Sequence, residues 1–336
     1  MTRPRRSALA PLTTLLAIAA PSQTLTLPGA VSGQPLTLST TGGTPSVWML
    51  WLGSVQGLGP GPCSPAHGLC LDLLHPVALA LSAADGAGAA SFSLSMPSWP
   101  TPIVLGFQGV EFAAAMPLPK TNAVATTLQP LSAWNDEFAG TALGPQWSVL
   151  NAGLATIQVQ NGTLDIAPTV AQLPNMWYQH GEGPLVWRLV SGDFFVTARL
   201  TVDDPAAPGA PPAPTYRLAG IIARNPASTP ADQDYVHVAL GSGSNSQPTA
   251  VEDKSTTDSV SDWIAYPVTS NTGEIAIERI GRWFSLHYRL DGNHPWQLLR
   301  THDRPDLPHA LQIGLMSYSA SSPAALRGRF DYLRFQ

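Results

Sequence analysis

Lysine is nearly missing from this chain: Lys120 and Lys254 are the only two in 336 residues. With 17 Lys and Arg against 22 Asp and Glu the net charge is −5, so no basic face able to follow a phosphate backbone can be assembled, which excludes a nucleic-acid binder. Charge of either sign is scarce, at 12% of residues, about half of the roughly 25% of ordinary soluble domains. No stretch reaches the about 18 uninterrupted apolar residues that a membrane-spanning helix requires. Long helices are excluded by what is plentiful, 33 Pro and 29 Gly. Ten Trp, seven Tyr and nine Phe supply the large buried areas that a disordered chain lacks. The chain is therefore expected to be all-β.

The first twenty residues read as a secretory signal peptide. Arg3, Arg5 and Arg6 precede an apolar run from Ala8 to Ala19, and small residues at Ala17 and Ala19 suit cleavage after Ala19. The expected localisation is thus secreted or extracellular, with the periplasm or the cell surface as alternatives. Export accounts for the cysteine pair: Cys63 and Cys70 bracket the loop from Ser64 to Leu69, and an oxidising compartment favours a local disulfide. A metal pair with His67 as third ligand is the sharper alternative, though it lacks a fourth ligand.

Composition divides the remainder. Residues 24–130 hold only Asp72, Asp85, Glu111 and Lys120 as charged groups, whereas 32 charged residues follow Pro130. This break predicts a small Pro/Gly-rich β-sandwich over 24–130 and a second domain over 131–336. In the second part, period-2 patterning marks eleven strands, including Val186–Val190, Phe194–Val202, Arg217–Arg224, Tyr235–Leu240 and Leu311–Tyr318, enough for a two-sheet antiparallel sandwich. Asp291-Gly292 is a candidate hairpin turn. Asn161-Gly162-Thr163 matches a glycosylation acceptor and equally a simple turn.

Three segments carry a family resemblance. They are Trp134-Asn135-Asp136-Glu137-Phe138 with Gly140–Trp147, Asp291-Gly292 followed by Trp296, and Gly328–Phe335. Together they resemble the concanavalin A-like lectin/glucanase jelly roll, including the C-terminal sandwich of some β-xylosidases, over about residues 131–336. The resemblance implies an antiparallel jelly-roll sandwich with first and last strands adjacent, and in several members a structural Ca²⁺ there. Carried over, the calcium ligands are Asp136 or Glu137 with Asp331.

The resemblance also implies a concave sheet face. Arg188, Arg224, His237, Glu252 and Lys254 lie in or beside strand-like runs, and on that face they would converge, with Trp177, Tyr178 and Trp263 at the rim. Such a mixture suits sugars, whose apolar C–H faces stack on aromatic rings while their hydroxyls meet planar charged groups. The polar Ser255–Ser261 stretch reads as a loop over the groove or, equally, as an exposed hairpin end. The best match to paired catalytic carboxylates, Glu274 and Glu278, lies about 13 Å apart along one strand with Ala276 where the family places an aspartate, so nothing sets the two apart as acid and nucleophile. The expectation is a secreted carbohydrate-binding protein without catalysis of its own. The alternatives are a glycoside hydrolase or polysaccharide lyase using the concave cluster, and an extracellular structural or adhesion protein.

Overall fold

The computed structural model describes residues 23–27, 29–96, 99, 101–112 and 117–336; the expected signal peptide lies outside them. The chain forms two compact units, Met1–Pro28 with Thr37–Phe92 and Val104–Thr126, and Gly29–Leu36 with Ser93–Ile103 and Thr127–Gln336. Continuous membership of the second unit thus begins close to the composition break at Pro130. Two short upstream segments also belong to it.

The strands that precede Pro130 are β1 (Thr24–Thr26), β2 (Ala30–Val31), β3 (Pro35–Thr41), β4 (Trp48–Ser54), β5 (Cys63–Ser64), β6 (Leu69–Cys70), β7 (Val77–Ala83), β8 (Ala90–Ser95), β9 (Ile103–Phe112) and β10 (Val124–Gln129). Strand β4 is hydrogen-bonded between β7 and β9, all antiparallel. Its Trp51 is fully buried, with the indole N–H donating to Ser82. The β5–β6 hairpin places Cys63 opposite Cys70, and the two form the expected disulfide. The disulfide consumes both thiols that the alternative metal pair needs, and His67 Nδ1 lies 2.7 Å from the Ser64 hydroxyl.

Fourteen strands build the rest: β11 (Ser148–Leu150), β12 (Ala155–Gln160), β13 (Thr163–Pro168), β14 (Leu185–Ser191), β15 (Phe194–Asp203), β16 (Arg217–Arg224), β17 (Tyr235–Ser242), β18 (Ala250–Thr257), β19 (Val260–Pro267), β20 (Thr272–Ile280), β21 (Trp283–Arg289), β22 (Gln297–Asp303), β23 (Ala310–Ser319) and β24 (Arg327–Phe335). They make two seven-stranded sheets. One runs β11-β14-β23-β16-β17-β18-β19 and the other β12-β13-β24-β15-β20-β21-β22, with antiparallel ladders. This is the two-sheet antiparallel sandwich that the patterning predicts, with fourteen strands in place of the expected eleven; the jelly roll is what the resemblance implies.

Alternation explains the core. On β15 Phe194, Val196, Ala198, Leu200 and Val202 enter one apolar cluster with Ile275 and Ile277 of β20 and with Ile221, Val236, Val238, Leu315 and Ile313 of the facing sheet. Burying such side chains contributes about 1.5–3 kcal/mol each. Asn161 and Gly162, both with positive φ, close the β12–β13 hairpin, the conformation an Asn-Gly pair adopts readily.

Two connections take a definite form. The polar stretch Ser255–Ser261 is a hairpin end and not a loop over the groove: it continues β18, turns at Asp258-Ser259, where both residues hold positive φ, and begins β19. The Asp291-Gly292 pair lies in the β21–β22 hairpin, whose connection is longer than a two-residue turn. Asp291 caps a longer connection by accepting the Asn293 N–H, and the ladder resumes only with Tyr288 opposite Gln297.

Candidate functional site

Ladder register fixes which side chains leave the core of the first sheet. Gln312 lies opposite Arg224, Arg224 opposite Tyr235, His237 opposite Lys254, Lys254 opposite Trp263, and Ala239 opposite Glu252. Directly paired residues share a face, so these groups occupy the face turned away from the second sheet. Tyr235, Ala239, Leu218, Ile222, Met316 and Tyr318 form a second apolar cluster there, together with Met176 and Trp177 from the segment joining β13 to β14. Their alternates, Ile221, Val236, Val238 and Val251, fill the core between the sheets.

The β13–β14 segment is fastened over this face. The Gln172 N–H donates to the Ser319 carbonyl, the Gln179 N–H to the Ser261 hydroxyl, and Arg224 binds the Glu182 carboxylate. A cavity of about 520 Å³ remains, within the range of about 300–1,000 Å³ of small-ligand sites. Its walls are Leu173, Met176, Tyr178, Tyr216, Trp263 and Tyr318, with Gln172 and Ala320 at its edge and Glu252 and Lys254 exposing charge to it. Tyr216 and Trp263 meet edge to face, 5.3 Å between ring centroids. Tyr216 holds this place with φ of 46°, costly for a bulky residue, secured by hydrogen bonds to Gly243 and Ala320.

The floor is a buried ionic network. Lys254 Nζ donates to the Trp177 carbonyl at 3.0 Å and the Tyr318 hydroxyl at 3.2 Å, and lies 2.8 Å from Glu252 Oε1. The same oxygen accepts the Tyr318 O–H at 2.7 Å and pairs with His237 Nε2 at 2.9 Å. Among the described residues, the partners of the carboxylate thus all fall on Oε1 and none on Oε2. Lys254 also lies against the rings of Tyr178 and Tyr318.

Burial would raise the Glu252 pKa, but the neighbouring ammonium and the His237 bond hold it down to about 2. Burial first and Lys254 second depress His237 to about 4. At neutral pH the imidazole is uncharged, its Nε2–H donates to the carboxylate, and buried Nδ1 has no partner. The Lys254 pKa is lowered by burial against the pull of Glu252. Burial, with Glu252 nearby, raises the Tyr318 phenol well above its ordinary value.

The expected residues therefore separate. Glu252, Lys254, Tyr178 and Trp263 line the cavity, and His237 supports it from behind. Trp177 is not a rim residue: it is fully buried, its indole N–H bound to the Pro184 carbonyl, and it contributes its own carbonyl to Lys254. Arg224 shares the face but lies outside the cavity, with its guanidinium spent on Gln233, Gln312, Glu182 and the Ser228 carbonyl. Arg188 is not on this face at all. Opposite Ile313 of the core, it points the other way, 4.0 Å from the Trp147 ring centroid and donating to the Trp134 carbonyl. Gln172, Leu173, Met176, Tyr216, Tyr318 and Ala320 were not expected. Tyr318 alone carried a signal, as a polar-tipped aromatic in a buried strand.

Glu274 and Glu278 sit on the outer face of the second sheet, away from the cavity. Glu274 is ion-paired with Arg289 and Arg199, and Glu278 lies 3.5 Å from His287. The donor set expected for calcium does not fit that ion either. The opening segment, not the first strand, meets the last strand: Asp136 forms an isolated bridge with Leu333 of β24 through both backbone bonds, whereas β11 lies in the other sheet. Asp136 accepts from Phe138 N–H and the Trp147 indole, Glu137 is forked onto Arg334, and Asp331 pairs with Arg199. Each carboxylate is committed to a different donor, and among the described residues these three form no common cluster; Asp232, Asp234 and Asp258 do, in exposed turns.

No protein-family model matches the chain, and no curated protein matches it. Solved structures that it resembles include the GH43 BlXynB protein of Bacillus licheniformis (12% identity, TM-score 0.49, covering 70% of this chain and half of that one). Others are the β-glucanase of Bacillus licheniformis (10%, 0.41, 60% and 97%) and lectin I-B4 of Griffonia simplicifolia (14%, 0.41, 60% and 98%). At these identities and TM-scores the likeness carries no argument about function or family. No helix among the described residues is long and apolar enough to cross a membrane.

Proposed function

We propose that the chain is an exported carbohydrate-binding protein whose cavity over β18 receives part of a glycan without cleaving it. One observation carries the reading: flat aromatic walls, Tyr178, Tyr216, Trp263 and Tyr318, surround a carboxylate with one oxygen free. Rings cover the C–H face of a pyranose, and Glu252 Oε2 accepts a sugar hydroxyl in a charge-assisted bond. The disulfide supports an oxidising destination.

Binding is favoured over hydrolysis because only one carboxylate lines the cavity, where hydrolysis needs a pair about 5–9.5 Å apart. Held near 2, Glu252 is moreover a poor proton donor at neutral pH. Burial also raises the Tyr318 phenol well above its ordinary value, which disfavours that hydroxyl as a lyase base.

Glycan-array binding of the purified chain tests the proposal. It expects a saturable, restricted set of hits that Trp263→Ala reduces at least tenfold, with no release of reducing ends from any hit. A blank array, with the folded state verified by its unfolding transition, favours the structural or adhesion reading; turnover of a hit favours an enzyme.

A further inference from the structure

Resting on the carbohydrate reading of the cavity, we infer that the site selects neutral sugars and rejects uronates. A lysine ammonium has three N–H donors. Two of those of Lys254 go to the Trp177 carbonyl and the Tyr318 hydroxyl, and the ammonium is ion-paired with Glu252 Oε1 at 2.8 Å. Glu252 Oε1 in turn meets Lys254, Tyr318 and His237, whereas Oε2 has no partner among the described residues. The cavity therefore contains a matched pair of charges, but the one charged atom left for a ligand is an anionic oxygen.

The remaining donors of the walls, the Trp263 indole N–H, the Gln172 side-chain amide and the Tyr178 and Tyr216 hydroxyls, are neutral groups. Arg224, the other cation of this face, has all its bonds inside the protein and does not reach the lining. A sugar hydroxyl entering here gives its proton to Oε2 and stacks its ring on the aromatic walls. A uronate carboxylate instead meets another carboxylate in a site partly closed to water, with no cationic N–H free to receive it. Like charges at short range and an unsatisfied buried anion both oppose binding. Ester formation removes the charge and leaves the shape nearly unchanged.

The ligand side supplies the test, so no variant has to fold. Methyl glucoside, methyl glucuronoside with its carboxylate free and the methyl ester of that glucuronoside, with the corresponding three galacto compounds, are compared at pH 7 by saturation-transfer NMR competition and calorimetry on the intact chain. The expected result, in the series that binds, is neutral glycoside and ester within about threefold of each other and the free uronate at least tenfold weaker. Uronate binding equal to or tighter than the ester overturns the selection while leaving carbohydrate binding intact. Failure of all six to bind overturns the selection and the carbohydrate reading together.

Discussion

Lys254 Nζ stands 2.8 Å from Glu252 Oε1, and the two side chains, two residues apart on β18, each retain only about 2% of their exposure. Two charges so far removed from water are tolerated because neighbours complete their shells. Trp177 and Tyr318 take the spare ammonium protons, and Tyr318 and His237 donate to the carboxylate. The pair is both the floor of the cavity and a point at which the covering segment is tied to the sheet.

Breaking this pair from either side is expected to be severe. Glu252→Gln or Lys254→Met alone leaves an uncompensated buried charge or polar group and should cost about 3–5 kcal/mol, whereas the double substitution should recover most of that loss. Urea unfolding of the three variants checks this. Additive losses would mean that the two groups are not coupled.

Acid should weaken the fold in two stages. His237 has its pKa depressed from 6.5 to about 4, so between those values the unfolded chain binds the extra proton and stability falls as pH falls. Glu252, depressed from 4.5 to about 2, adds a second loss between those values. Both contributions are fully present above about pH 6.5. Unfolding midpoints measured from pH 7 to pH 3 should decline throughout, and His237→Gln should flatten the interval between 6.5 and 4.

Arg224 is expected to act on binding only by positioning. Its bonds to Glu182, Gln233, Gln312 and the Ser228 carbonyl hold one end of the covering segment, and it does not line the cavity. Arg224→Lys keeps the charge but cannot reproduce the planar fork, so a loss of about 1–3 kcal/mol in stability is expected. Faster amide exchange over residues 172–182 should accompany it. An unchanged exchange rate in that segment would remove the positioning role.

Strand positions were legible wherever apolar residues alternate or run unbroken. Arg217–Arg224 coincides with β16, and Leu311–Tyr318 lies within β23. The eye fails at β18, where Glu252-Asp253-Lys254-Ser255 looks solvated because the partners that make it a buried strand come from elsewhere. Asp253 is bonded across the sandwich to Arg300 and His302, and Lys254 to Trp177 and Tyr318.

The facing of Arg188 was misread for a related reason. Both sides of β14 are apolar, so parity alone does not say whether Val186 and Val190 or Leu185 and Trp187 face the other sheet. The rings of Trp134 and Trp147 make the inner position acceptable to a guanidinium. Half of the cavity wall comes from the β13–β14 segment and from Tyr216, whose placement depends on backbone geometry that no residue pattern encodes.

Whether a glycan enters this cavity is decided most directly by backbone amide shifts recorded while the best array ligand is titrated into the isotope-labelled chain. The account predicts saturable shifts concentrated at Gln172–Tyr178, Tyr216, Glu252–Lys254 and Trp263. Shifts confined to the opposite sheet, around Glu274, His287 and Trp296, would contradict it.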